Sequence, residues 1–202
     1  MKRALDLFCG AGGASVGLAR AGYEVTGVDL VPQPEYPFKF HCADALTFPL
    51  EDFDLIWASP PCQAHTLLRG LGKGRANDID LIPDVRERLI ASGRPYIIEN
   101  VVGAPLKNPV VLCGSMFGLA VRRHRLFECS FTVSLRPPCR CGGRRNVAVY
   151  GKRPGDRLPD GVQRARDLTH GREAMGIDWM SWHPLTQAIP PAYSEFLARQ
   201  AS

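Results

Sequence analysis

The 202-residue sequence has no apolar run long enough to cross a membrane or to form the core of a signal peptide; after Lys2 and Arg3 the first apolar stretch is broken at Cys9-Gly10. The expectation is a cytoplasmic chain with no membrane partner. A disulfide framework is also missing. The seven cysteines, at 9, 42, 62, 113, 129, 139 and 141, are an odd number scattered through strand-like and turn-like contexts, which suits a reducing compartment. Nor does one sign of charge dominate, since a net charge of +5 permits a polyanionic partner without demanding one. The excess is uneven, however: Arg122, Arg123, Arg125, Arg136, Arg140, Arg144, Arg145, Lys152, Arg153, Arg157, Arg164 and Arg166 crowd the second half, which favours nucleic acid. Hydrophobic content of 45% and charged content of 22% are ordinary for a soluble globular chain, and the length suits one domain or one domain with a small appendage.

What is present begins with a strand, a glycine turn and a helix. Residues 4–8 read as a short buried strand that runs into Cys9-Gly10-Ala11-Gly12-Gly13, after which Val16, Leu18, Ala19 and Ala21 support a helix closed by Gly22. Glycines there let the backbone bend sharply and approach a ligand, and the helix start offers free N–H groups. A turn kept only for tight strand-to-helix packing is the plainer alternative. Gly10-x-Gly12-Gly13 lacks the third glycine of G-x-G-x-x-G, which argues against NAD.

Residues 24–28 form a second strand ending in Asp29, placed to accept from the hydroxyls of a ribose. A proline-rich link, residues 31–37, leaves room for at most a very short crossover helix. A third strand, residues 39–43, carries Asp44, which suits an adenine amino group or simply a solvated loop; His41 reads as a core histidine. The apolar residues 53–58 form a fourth strand running into Ser59-Pro60-Pro61-Cys62-Gln63. Two prolines stiffen the backbone ahead of Cys62, making it a candidate nucleophile, with a structural cysteine as the alternative. Residues 64–82 read as a basic binding loop, residues 85–90 as an amphipathic helix and residues 96–98 as a fifth strand leading into Glu99. Asp29, Asp44, Cys62 and Glu99 thus converge on the carboxyl edge of a parallel sheet, where open α/β folds bind ligands.

The pieces Asp6-Leu7-Phe8-Cys9-Gly10-Ala11-Gly12-Gly13, Ser59-Pro60-Pro61-Cys62-Gln63, Glu99-Asn100-Val101 and Arg123-His124-Arg125-Leu126-Phe127 resemble, in order, the motifs of the cytosine-5 DNA methyltransferases. Residues 186–193 look like that family's closing motif. The resemblance implies an α/β, doubly wound Rossmann-like sheet with a small recognition subdomain. Residues 1–127 would form the catalytic domain, 128–178 the recognition region and 179–202 a segment returning to the first. It further implies S-adenosylmethionine as cofactor, held by Phe8, Gly10, Gly12, Gly13, Asp29, Asp44, Pro60 and Gln187, and double-stranded DNA as partner of a monomer. Cys62 would attack the base, Glu99 would protonate its pairing edge, and Arg123 and Arg125 would hold the base carbonyl and a flanking phosphate. A pyrimidine methylase acting on RNA or free nucleotide, and a non-catalytic DNA binder, are the other readings.

The sequence departs from the family at Val121, His65 and Thr186-Gln187, which touches secondary contacts and leaves the central groups in place. Only residues 128–185 are available for target recognition. They hold a basic run at 134–145, a strand-like stretch at 146–150 and an expected helix over 162–168, with Trp179, Met180 and Trp182 expected to pack the region onto the sheet. Cys129, Cys139 and Cys141, with His124, His170 or His183, offer ligands for zinc. A C-x-C pair lacks the paired knuckles of a zinc finger, so free thiols and no metal are expected.

Overall fold

The computed structural model describes residues 1–61, 80–142, 146–151 and 162–201. Five parallel strands form its centre: β1 (Arg3–Leu7), β2 (Glu24–Asp29), β3 (Lys39–Cys42), β4 (Leu55–Ala58) and β5 (Tyr96–Asn100). β7 (Arg125–Cys129) runs antiparallel to β5, and β6 (Val110–Leu112) completes the edge, giving the order β3-β2-β1-β4-β5-β7-β6. Chain order reverses between β1 and β4. That switch point is where an open α/β sheet leaves a crevice at its carboxyl edge.

Alternation along the strands assigns each residue to a face. Ala4, Leu55, Trp57 and Ile97 point to one side, where α1 (Gly13–Arg20) and α5 (Pro191–Ala198) cover them with Leu18, Tyr193 and Leu197. Leu5, Leu7, Ile56, Ala58 and Ile98 point to the other, beneath Val85 and Leu89 of α2 (Ile82–Ala91). Helices on both faces make the sheet doubly wound, as expected. Gly17 permits the close approach of α1 to α5: a Cβ there would lie 2.1 Å from Pro191 O. No helix forms in the proline-rich link. Tyr36 fills the place instead, its ring against Phe38 and Phe40 and so near β2 that a Cβ on Gly27 would meet its Oη at 2.3 Å.

The second half differs from the expectation in one element. Residues 162–168 are not a helix: Gln163–Arg164 is a strand, β9, paired in parallel with β8 (Val147–Ala148), and the helix, α3, comes later at Leu168–Met175. Asp167 explains the later start, because its side chain accepts from His170 N and caps the helix there. β7 also runs through residue 129, so the strand crosses the expected boundary at 127/128. Val121, Val147, Ala165, Met175, Met180 and Leu185 share a core with Ala11 of the glycine turn, and Trp179 and Trp182 pack against it. Among the described residues, no helix is long and apolar enough to cross a membrane.

Candidate active site

The glycine turn forms one wall of a cleft. Phe8, Gly10 and Gly12 take φ of 59°, 49° and 85°, so the chain reverses from β1 into α1 within five residues. Asp29 holds this reversal: its Oδ2 accepts from Gly10 N at 3.0 Å and its Oδ1 from Val31 N at 3.1 Å. A carboxylate has about four acceptor positions, so about two remain for a ligand. Asp44 sits exposed at the same edge with Oδ1 accepting from Leu46 N. Behind the turn, Asp6 is fully buried on the α1 side, where Ser15 Oγ donates to its Oδ2 and lies 2.7 Å from Tyr36 Oη. Burial pushes the Asp6 carboxyl up to about 7, opposed by the Ser15 hydrogen bond.

The opposite wall carries the acid. Glu99 lies within β5, 8% exposed, with Oε1 3.2 Å from Arg125 Nε. Burial raises its pKa, while Arg125, Arg123 and Ser59 pull it back. The neighbouring Asn100 is buried and donates through Nδ2 to Pro60 O at 3.0 Å, fastening the proline turn to β5. Cys62 lies outside the described residues, as does the basic loop apart from residues 80–82, where Ile82 opens α2. Pro60 and Pro61, which lead into Cys62, line the cleft.

Arg123, expected to contact the base, bonds in the structure to backbone carbonyls of its own chain while lining the cleft. Its guanidinium, 1% exposed, donates to Thr186 O at 2.9 Å, Gln187 O at 3.1 Å and Val149 O at 3.4 Å, and lies over the Tyr150 ring. Tyr193 Oη donates to the Arg123 carbonyl at 2.7 Å. Burial lowers the Arg123 pKa, and Arg125 adds to the effect. A buried guanidinium needs acceptors, and the last two residues of α4 (Trp182–Gln187) supply two of the three. Arg123 therefore ties the closing segment across the cleft, which brings Gln187 to its wall.

The cleft has a volume of about 570 Å³ and is lined by Phe8, Gly10, Gly13, Asp29, Asp44, Pro60, Glu99, Arg123, Arg125 and Gln187, in the range of small-molecule sites. Of the described residues expected there, Gly12 alone is not on the wall. It packs beneath the link, where a Cβ would meet Pro37 Cδ at 2.9 Å. Asp6 and Asn100 line the cleft without having been singled out from sequence. A carboxylate inside an apolar strand was the available signal for Asp6.

The cysteines also group differently from the expectation. Cys129 stands at the far end of β7, paired with Ile97, whereas Cys139 and Cys141 meet His124 and Cys113. Nothing in the sequence spacing singles out Cys113.

No protein-family model and no curated protein matches the sequence. Solved structures do match the fold. The Entamoeba histolytica methyltransferase EhMeth superposes with a TM-score of 0.62 at 12% identity, over 100% of this chain and 98% of that one. The S. pombe Dnmt2 methyltransferase gives 0.59 at 15% identity, over 98% and 97%. The chain shares its fold with these two methyltransferases. A mutant of Spodoptera frugiperda DNMT2, 18% identical with a TM-score of 0.46, matches over 63% of this chain, which spans 49% of its length. This chain likewise spans 45% of a candidate DNA modification methyltransferase encoded within an E. coli prophage.

Proposed function

We propose that the chain transfers a methyl group from S-adenosylmethionine to carbon 5 of a cytosine in DNA through a covalent cysteine adduct. One arrangement carries this reading: a buried acid, Glu99, ion-paired to Arg125, stands in the same cleft as the Pro60-Pro61 turn that leads into Cys62.

The cleft fits the cofactor on this chain's own features. The Gly10 turn brings bare backbone to the wall, Asp29 keeps acceptor capacity for ribose hydroxyls, and Asp6 Oδ1 is buried beside it with no partner among the described residues. Phe8, Asp44, Pro60 and Gln187 would enclose the rest. Gly12 supports the turn from beneath. When bound, S-adenosylmethionine supplies an electrophilic methyl group on a sulfonium.

Carbon 5 of cytosine is a poor nucleophile until the ring is activated. The Cys62 thiolate adds to carbon 6, Glu99 delivers its proton to ring nitrogen 3, and the ring becomes an enamine whose carbon 5 attacks the methyl group. Loss of the carbon 5 proton, departure of the thiolate and return of the nitrogen 3 proton to Glu99 then restore the aromatic base and the acid. Burial of Glu99 favours the protonated acid that this step needs, and Arg125 keeps it from being too reluctant to release the proton. Arg125 Nε holds Glu99 in place, while Arg123 acts as a positioning residue through the closing segment.

The ring is inaccessible inside a duplex, so the target base is flipped out of it. Arg136 and Arg140, exposed on the 130–142 arm, supply charge for phosphate contacts. Cys62→Ala is expected to abolish methyl transfer and covalent trapping on 5-fluorocytosine DNA while leaving S-adenosylmethionine affinity within about 2-fold, since the thiol acts on the base. Full turnover by this variant would overturn the mechanism. Bisulfite sequencing of DNA from cells expressing the wild-type chain reads the cytosine assignment and its sequence context.

A further inference from the structure

Cys113, His124, Cys139 and Cys141 bring their four ligand atoms within 4.8 Å of one another. We propose that they bind one zinc ion that fastens the 130–142 arm to the catalytic sheet. His124 Nε2 lies 3.5 Å from Cys141 Sγ and 3.7 Å from Cys139 Sγ, and the two sulfurs are 3.2 Å apart. With Zn–S near 2.3 Å and Zn–N near 2.0 Å, a tetrahedral Cys3His site has ligand-to-ligand edges of about 3.5–3.8 Å. The imidazole edges to Cys139 and Cys141 already have that length, the Cys139–Cys141 sulfur pair needs to open by only about half an ångström, and Cys113 Sγ lies within the same 4.8 Å group.

The sheet produces this cluster. Leu112 at the end of β6 pairs with Arg125 at the start of β7, so the next position beyond each strand places Cys113 beside His124. The Cys139-Arg140-Cys141 turn then delivers two sulfurs from the arm. Ser115 braces the group: its hydroxyl is 3.6 Å from Cys113 Sγ and 3.4 Å from Cys139 Sγ, and it accepts from Arg140 N at 3.1 Å. Hydroxyl donors to thiolates and a fixed ligand backbone are the outer contacts such sites use.

Three thiolates and an imidazole select a soft or borderline ion over magnesium or calcium, and four protein ligands leave no open position for catalysis. The role is structural. Residues 130–142 contain no buried residue and no regular element, so the arm has no core of its own to hold it. Zinc would supply that hold. It would also anchor His124, which stands between Arg123 and Arg125, so the same ion fixes the chain that closes the cleft and the chain that orients Glu99.

The test is the metal content of the full chain, purified under reducing conditions without a metal-binding tag and measured by mass spectrometry against quantitative amino-acid analysis. About one zinc per chain is expected, and cobalt added after zinc removal should give thiolate-to-metal charge transfer with the intense visible bands of a tetrahedral site. Cys139→Ser should lower zinc affinity by about 10-fold or more and weaken those bands, whereas Cys129→Ser should retain both. Wild-type protein with below about a tenth of an equivalent of zinc and no cobalt–thiolate bands would overturn the proposal. A Cys139–Cys141 disulfide in protein prepared anaerobically, or equal loss of zinc in Cys129→Ser, would do the same. Because the cobalt spectrum is read on the wild-type chain, a variant that fails to fold leaves the decision intact.

Discussion

On one wall of the cleft the glycine turn is shaped by close packing, and on the other Glu99 and Arg125 are held by a buried ion pair. On the first wall there is no room at Gly13, where a Cβ would lie 2.6 Å from Ile189 O, and behind that wall a Cβ on Gly17 would strike the start of α5. On the second, one charge sets the state of another, with the Arg125 guanidinium opposing the effect of burial on Glu99. Packing fixes where a ligand can lie, whereas the ion pair fixes how readily a proton moves. Substitutions on the two walls should therefore fail in different measurements.

The largest effect is expected for Glu99→Gln, which keeps the shape and removes the transferable proton. Turnover should fall by about 10²–10⁴-fold, or about 3–5 kcal/mol of barrier, with S-adenosylmethionine affinity nearly unchanged in calorimetry. An equal loss of affinity would erase the distinction between the walls.

Asp6 sharpens the comparison because it places a charge problem behind the packed wall. Its carboxyl is raised from 3.8 to about 7, so below about pH 4 folded and unfolded chains both hold the proton. Between about 4 and 7 the unfolded chain releases it while the folded chain keeps it, and stability falls as pH rises, by up to about 4 kcal/mol over the window. Asp6→Asn should remove most of that slope and raise the melting temperature more at pH 8 than at pH 5. An unchanged slope in thermal denaturation would refute the assignment.

The smallest effect is expected for Gly17→Ala, where Ser194 Oγ and Pro191 O crowd the added methyl. Overpacking of this kind costs about 1–3 kcal/mol, read as a lower melting temperature, without a specific fall in turnover of the folded fraction. A selective loss of turnover would show that the α1–α5 contact reaches the chemistry.

Much of this architecture was legible in short stretches. The first strand, read at 4–8 and found at 3–7, the glycine turn and the strand ending at Asp29 announce themselves because turn geometry and strand burial depend on neighbours in sequence. Arg123 was legible as an arginine but not as a strut, since its partners, Thr186 and Gln187, lie more than sixty residues away. The helix expected at 162–168 failed for a related reason: Gln163 and Arg164 become a strand only because β8 offers them a ladder.

The sequence by itself determined the inventory and the edge on which it gathers: glycines at a strand-to-helix turn, an acid on β2, a stiff turn before Cys62 and an acid on the following strand. Local backbone preference and hydrophobic alternation carry that much. Only the tertiary structure decided which groups become partners. It gave Arg125 to Glu99, turned Arg123 toward the closing segment, left Asp6 buried behind the turn and replaced Cys129 by Cys113 beside His124. Each of these depends on a strand register or a helix docking that brings distant residues within a few ångströms, and pairing energies act only at that range.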